Sequence, residues 1–87
     1  MKIRFIDKTP RAFLEEEMRY QLKDAKLEVP EDEFKKGVDM IYNNFILPNL
    51  PKFLNKKGLL SVPGFFLISA ACKKTIDAVK KQNKRRA

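Results

Sequence analysis

Apolar residues recur every three or four positions over most of this chain, which is the spacing of one face of an α-helix. The chain has 87 residues, enough for one domain with a single modest core, and 44% of them are hydrophobic. The sequence therefore predicts an all-α fold, a compact bundle of three to four helices. The apolar stripes are Leu14, Met18, Leu22 and Ala25, then Phe34, Val38, Ile41 and Phe45, and last Phe65, Ile68, Cys72, Ile76 and Val79.

Capping residues and prolines predict where the two longer N-terminal helices begin and end. Thr9 can cap a first helix over about Pro10–Leu27, with proline in its first turn. The second helix should open at Glu31 and end near Leu47, because Pro48 disfavours helical geometry in the residue before it. A kinked continuation through Pro48 is the alternative.

The same signals predict two further helices. Asn49 can cap a short third helix with Pro51 in its first turn, and Lys56–Gly58 is typical of a helix ending. Ser61 can cap a fourth helix that accommodates Pro63 in its first turn. The first half of this fourth helix is apolar on all sides, which predicts the central helix of the core.

The two ends of the chain give weaker signals. Met1–Ile6 alternates apolar and basic residues, which predicts either a short strand or an extended arm pinned by two apolar side chains. Residues 84–87 are expected to form a frayed basic tail. A single helical domain would then span residues 1–83.

Charge is distributed very unevenly along the chain. Residues 1–33 contain seven Lys or Arg and nine Asp or Glu, whereas residues 34–87 contain twelve Lys or Arg and two acids. The formal net charge is +8. A compact domain with one strongly basic half tends to bind polyanions, which include nucleic acid, anionic membrane surfaces and acidic proteins.

The fourth helix carries the main candidate site. On a helical wheel, at about 100° per residue, its cations fall on two neighbouring lines opposite the apolar stripe, and Asp77 is the single acid among them. Such a row matches a phosphate backbone, although it also fits an ordinary solvated helix face. A second lysine cluster, made of Lys52, Lys56 and Lys57, could extend this patch, together with Lys35 and Lys36. The predicted nucleic-acid-binding residues are Lys73, Lys74, Lys80, Lys81, Lys84, Arg85 and Arg86, supported by Lys52, Lys56 and Lys57.

These features predict a small, non-enzymatic nucleic-acid-binding protein that contacts phosphates without reading sequence. Duplex DNA is favoured over RNA, because few aromatic side chains are expected to be exposed for base stacking. A helix-turn-helix over residues 49–79 fits in outline only, because its recognition helix would present apolar side chains to the bases.

The competing hypothesis is a protein–protein adaptor or inhibitor. Phe66 and Leu67 project away from the main apolar stripe, so they are either core residues or the contact surface for a partner or a homodimer. The partner would be an acidic or hydrophobic surface of a larger complex. A small accessory protein of a virus or plasmid would suit either hypothesis, and peripheral binding to an anionic membrane is a third one.

Several classes of function are disfavoured by composition. The chain has no histidine and one cysteine, so no zinc site and no cofactor is expected, and no catalytic motif is present. The acidic triplets Glu15–Glu17 and Glu31–Glu33 lie at helix starts, and adjacent residues on a helix cannot converge on one ion. Cys72 is expected to be an inert core thiol, and a lone thiol predicts a reducing, cytoplasmic setting. The longest apolar stretch, Leu59–Cys72, is too short to span a bilayer.

Overall fold

The computed structural model describes the backbone of residues 8–86 and the side chains of residues 8–81. This part of the chain is an all-α bundle, as predicted, and its only β-pairing is one isolated bridge. The strand or arm predicted at Met1–Ile6 lies outside the described residues. The helices are α1 (Pro10–Asp24), α2 (Glu31–Ile41), α3 (Leu50–Phe53) and α4 (Val62–Arg86).

Helices α1 and α4 run side by side in the same direction. The rings of Phe13 and Phe65 lie 5.0 Å apart near the start of both helices, and further along the Gln21 side-chain amide donates to the Ser69 carbonyl at 3.1 Å. Helix α2 runs antiparallel to α1. Arg19, late in α1, pairs with Glu31 at the start of α2 at 2.8 Å and lies over the Phe34 ring.

One hydrophobic core joins these elements. Helical spacing predicts the residues of this core. It also explains why they meet, because the apolar stripe of one helix must be buried against the apolar stripe of another. Every predicted stripe contributes residues that are buried or partly buried in this core. The buried members are Phe13, Leu14, Met18, Phe34, Val38, Ile46, Phe53, Leu60, Ile68, Cys72 and Ile76.

Helix α1 begins at Pro10, as predicted, and ends at Asp24 rather than Leu27. The Thr9 hydroxyl accepts the Ala12 amide at 3.2 Å. At the other end, the Leu27 amide donates to the Leu22 carbonyl at 2.9 Å, and Lys26 has a φ of +58°. This pair of features is a Schellman ending, with lysine where glycine is usual.

The chain continues in helical form beyond α2, so the kinked alternative at Pro48 is the correct one. A π-helical turn spans Tyr42–Ile46, and a 3₁₀ turn spans Leu47–Asn49. A proline ring clashes with the carbonyl four residues earlier, and proline has no backbone amide hydrogen to donate. The wider π-helical turn and the tighter 3₁₀ turn after it relieve this conflict. The Asn49 side chain donates to the Phe45 carbonyl at 2.9 Å, and does not cap α3.

The segment that follows α3 differs from the prediction. Helix α3 ends at Phe53, and Lys56–Gly58 belongs to a turn rather than to a helix ending. The Asn55 side-chain oxygen accepts the amides of Lys57 and Leu59, at 2.8 and 3.1 Å, and this local bonding competes with the helix. Gly58 has a φ of +79°, a conformation that glycine adopts without strain.

Helix α4 begins as predicted, but it is not central to the core. The Ser61 hydroxyl accepts the Gly64 amide at 3.0 Å, and Ile68, Cys72 and Ile76 are buried. The opposite side of its first half is uncovered, because Phe66 and Leu67 are both exposed. Helix α1 packs along one side of α4 and α3 packs against α4 as well, and the side that carries Phe66, Leu67 and the lysines up to Lys81 stays exposed.

Candidate nucleic-acid interface

The exposed face of α4 has an apolar half followed by a basic half. We call it the outward face, and we define it by side chains that the structure leaves exposed. The apolar half comes first along the helix, and the basic half occupies the turns after it. Its members are Phe66, Leu67 and Ala70, then Lys73, Lys74, Asp77, Lys80 and Lys81.

The four lysines of the outward face make no ion pair or hydrogen bond with any residue whose side chain the structure describes. A helix repeats every 3.6 residues, so Lys73 and Lys80 lie about two turns apart on one line, and Lys74 and Lys81 on the next. This is the arrangement that the sequence predicted. The helix backbone continues to Arg86, whereas the side chains of Lys84, Arg85 and Arg86 lie outside the described part.

Two acids of the N-terminal third, Glu16 and Glu31, form ion pairs within that region. The ion pairs described for residues 8–81 join Lys8 to Glu16, Arg11 to Asp39, and Arg19 to Glu31. The hydrogen bond from the Arg19 guanidinium is the main reason that the pKa of Glu31 is lowered. These pairs tie α1 to α2 and to the chain just before α1, and none of them covers the outward face.

The second lysine cluster lies at the opposite end of α4 from Lys80 and Lys81. The Ser61 hydroxyl donates to the Lys52 carbonyl at 2.7 Å, and the turn that contains Lys56 and Lys57 follows α3 directly. With a rise of about 1.5 Å per residue, Lys80 is roughly 28 Å further along the helix than Ser61. The apolar half of the outward face lies between the two lysine clusters.

A groove of about 490 Å³ separates α1 from the outward face. Its α4 wall includes Phe66, Lys73 and Lys80, and its α1 wall includes Tyr20 and Asp24. The groove therefore combines exposed aromatic rings with charges of both signs. This groove could not be predicted from the sequence, because the pairing of α1 with α4 is a tertiary feature.

Phe66 is the most exposed large hydrophobic residue in the described part of the chain, at 64% of its surface. Its ring is not loose, because it stands edge-to-face against Phe65 at 5.2 Å, and Phe65 packs against the buried Phe13. This exposure is inconsistent with the core interpretation, and the contact-surface interpretation stays a prediction. Leu67, also exposed, lines a separate groove with Phe45 and Lys74.

Glu17 has a role that the sequence analysis missed. It is 8% exposed, and its carboxylate accepts hydrogen bonds from the Gln21 amide at 2.7 Å and from the Ser69 hydroxyl at 3.0 Å. Gln21 also donates to the Ser69 carbonyl. The network joins α1 to α4, and its three residues line the groove. Spacing of Glu17 with Phe13, Leu14 and Met18 on one helix face was the signal that could have found it.

Cys72 is buried in the core, as predicted. Burial raises the pKa of its thiol to about 12, and the nearby charge of Glu17 contributes in the same direction. A thiol with so high a pKa is protonated at neutral pH and is a poor nucleophile.

Comparisons with known proteins give no relative for this chain: no family model matches it, and no curated protein or solved structure is significantly similar. Of the helices that the structure describes, none has an apolar stretch long enough to cross a bilayer. The fold and the site define an all-α protein with one exposed helix face that is apolar at its start and rich in lysine beyond.

Proposed function

We propose that this protein binds nucleic acid through phosphate contacts made by the lysines of the outward face. The observation that carries the proposal is that Lys73, Lys74, Lys80 and Lys81 are all exposed and that no described acidic side chain pairs with them. Lysines that are not neutralised within the protein release counterions from a polyanion when they contact its phosphates.

The spacing of these lysines suits a repeating anion. The two lines of lysines lie side by side on one helix, so their backbone positions are fixed relative to one another. Contacts of this kind fix the position of a nucleic acid without reading base sequence. Affinity should therefore depend steeply on salt and only weakly on sequence.

The test is fluorescence anisotropy with labelled oligonucleotides, from low to physiological salt. For Lys80→Glu combined with Lys81→Glu, we expect weaker binding to every sequence and a salt slope lower by about two units. The matched control is Lys35→Glu combined with Lys36→Glu, which changes the same charge on exposed adjacent positions. The sequence allowed these lysines to extend the patch, but they lie on α2, outside the outward face. Its slope should stay close to that of the unmodified protein.

Two results would contradict the proposal. Equal losses in both variants would mean that binding follows net charge rather than the outward face. Absence of binding at low salt for the unmodified protein would favour the alternative hypothesis, a protein partner contacted by Phe66 and Leu67.

A further inference from the structure

We infer that the groove between α1 and the outward face holds unpaired bases, so that the preferred ligand is single-stranded nucleic acid. The inference rests on the proposed function and names the substrate class of the same site. It departs from the expectation of duplex DNA, which depended on a scarcity of exposed aromatic side chains.

Two exposed aromatic rings lie on opposite walls of this groove. Phe66 on α4 is 64% exposed and Tyr20 on α1 is 55% exposed. The edge-to-face contact with Phe65 anchors the Phe66 ring and leaves much of its surface open to solvent. Rings held in this way are the stacking platforms of proteins that bind single strands.

Cations lie directly beside these rings. Lys73 and Lys80 border the groove, while Lys74 and Lys81 lie on the neighbouring line of the outward face. A single strand presents bases on one side and phosphates on the other. Bases can enter the groove against Phe66 while phosphates follow the lysines, which is the combination typical of single-strand binding.

The acids of the groove support the same orientation of the strand. Asp24 and Asp77 both line it, and a phosphate placed among them would be repelled. Carboxylates do accept hydrogen bonds from the amino groups of bases, as cytosine N4 shows in direct readout. The groove is therefore better suited to bases than to phosphates. In a duplex the base faces are stacked inside the helix and cannot reach Phe66.

The test compares oligo-deoxycytidine, oligo-deoxythymidine and a duplex of equal length by fluorescence anisotropy at one salt concentration. The unmodified protein should bind the single strands more tightly than the duplex. Phe66→Ala should weaken single-strand binding by about 5- to 100-fold, the usual range for loss of one stacking platform, and leave duplex binding unchanged. Phe66→Tyr should restore it, and Tyr20→Ala should cause a loss in the same direction.

The matched control is Met40→Ala. Met40 is 63% exposed, nearly as much as Phe66, but it lies on α2 and does not line the groove. This variant should bind all three ligands normally. Circular dichroism of each variant confirms that it is folded.

The outcomes separate this inference from the proposed function. If the duplex binds as tightly as the single strands and Phe66→Ala changes neither, the inference is wrong and phosphate binding stands. If Phe66→Ala weakens binding to all ligands equally, the ring is not a base platform and the inference is also wrong. If the unmodified protein binds none of them at low salt, both proposals fail.

Discussion

The thiol of Cys72 shows how burial sets the chemistry of a single residue. It lies between Ile68 and Ile76 on the buried stripe of α4, and desolvation is the main reason that its pKa rises to about 12. In the unfolded chain the thiol titrates near its ordinary value of 9.0. Between these values the unfolded state binds fewer protons than the folded one, so raising the pH favours unfolding.

This difference predicts a pH-dependent contribution of Cys72 to stability. From about pH 9 upwards, the free energy of unfolding should fall by up to about 1.4 kcal/mol per pH unit because of this thiol. The measurement is urea denaturation at several pH values for the unmodified protein and for Cys72→Ala. All other side chains are the same in both proteins, so the stability difference between the two reports on the thiol and should shrink as pH rises.

A difference that stays constant with pH would contradict this account of Cys72. A labelling experiment provides an independent check. The native thiol should resist a thiol reagent until denaturant is added, whereas a cysteine at the exposed position of Ala70, made by Ala70→Cys in a Cys72→Ala background, should react at once.

At the scale of elements, the contact between α3 and α4 depends on one glycine. A Cβ atom at Gly64 would lie 2.8 Å from the Phe53 Cα and 3.0 Å from the Ser61 hydroxyl oxygen. Both neighbours are fixed, because Phe53 is buried and Ser61 caps α4. Gly64 therefore allows α3 to pack closely on the start of α4.

Gly64→Ala should destabilise the protein by about 1–3 kcal/mol, even though alanine is the better helix former, because the backbone of α3 must move. The matched control is Gly37→Ala in α2, where a Cβ would meet nothing within 4 Å. It should stabilise the protein by about 0.5–1 kcal/mol. Urea denaturation measures both, and equal effects of the same sign would show that helix propensity, not the contact, decides the result.

At the scale of the whole molecule, the uneven charge of the chain becomes a polarised surface. Arg11 and Arg19 pair with acids on α2, whereas the outward face carries four lysines that no described acid pairs with and one acid, Asp77, and so keeps a net positive charge. The folded state thus concentrates cations that an unfolded chain would spread out. A polyanion should bind the folded state preferentially and stabilise it.

A single-stranded oligonucleotide should therefore raise the thermal unfolding midpoint, and above Kd the stabilisation should grow with the logarithm of its concentration. At about one hundred times Kd, the expected stabilisation is about 2.7 kcal/mol. Differential scanning fluorimetry measures the midpoint, and Lys80→Glu combined with Lys81→Glu should reduce the rise. A midpoint that falls on adding the oligonucleotide would indicate binding to the unfolded chain instead.

The helices differ in how much of their structure could be predicted from the sequence. The Thr9 and Ser61 caps and the buried stripe of α4 could be predicted, because capping and helical periodicity depend on residues close together in the chain. The end of α3 could not, because the Asn55 side chain bonds to two later amides and so competes with further helix. The sequence left two alternatives at Pro48, because local rules do not say whether a helix ends at a proline or continues with a kink.

The starts of α1, α2 and α4, the core stripes and the two lines of lysines on α4 could be predicted from the sequence, because each depends on residues close together in the chain. Only the tertiary structure decided that Phe66 is exposed and that Glu17 is buried between α1 and α4. It also decided that Tyr20, Asp24 and Phe66 line one groove. Which side of a helix is covered depends on what packs against it, and that is fixed by contacts between residues far apart in the chain.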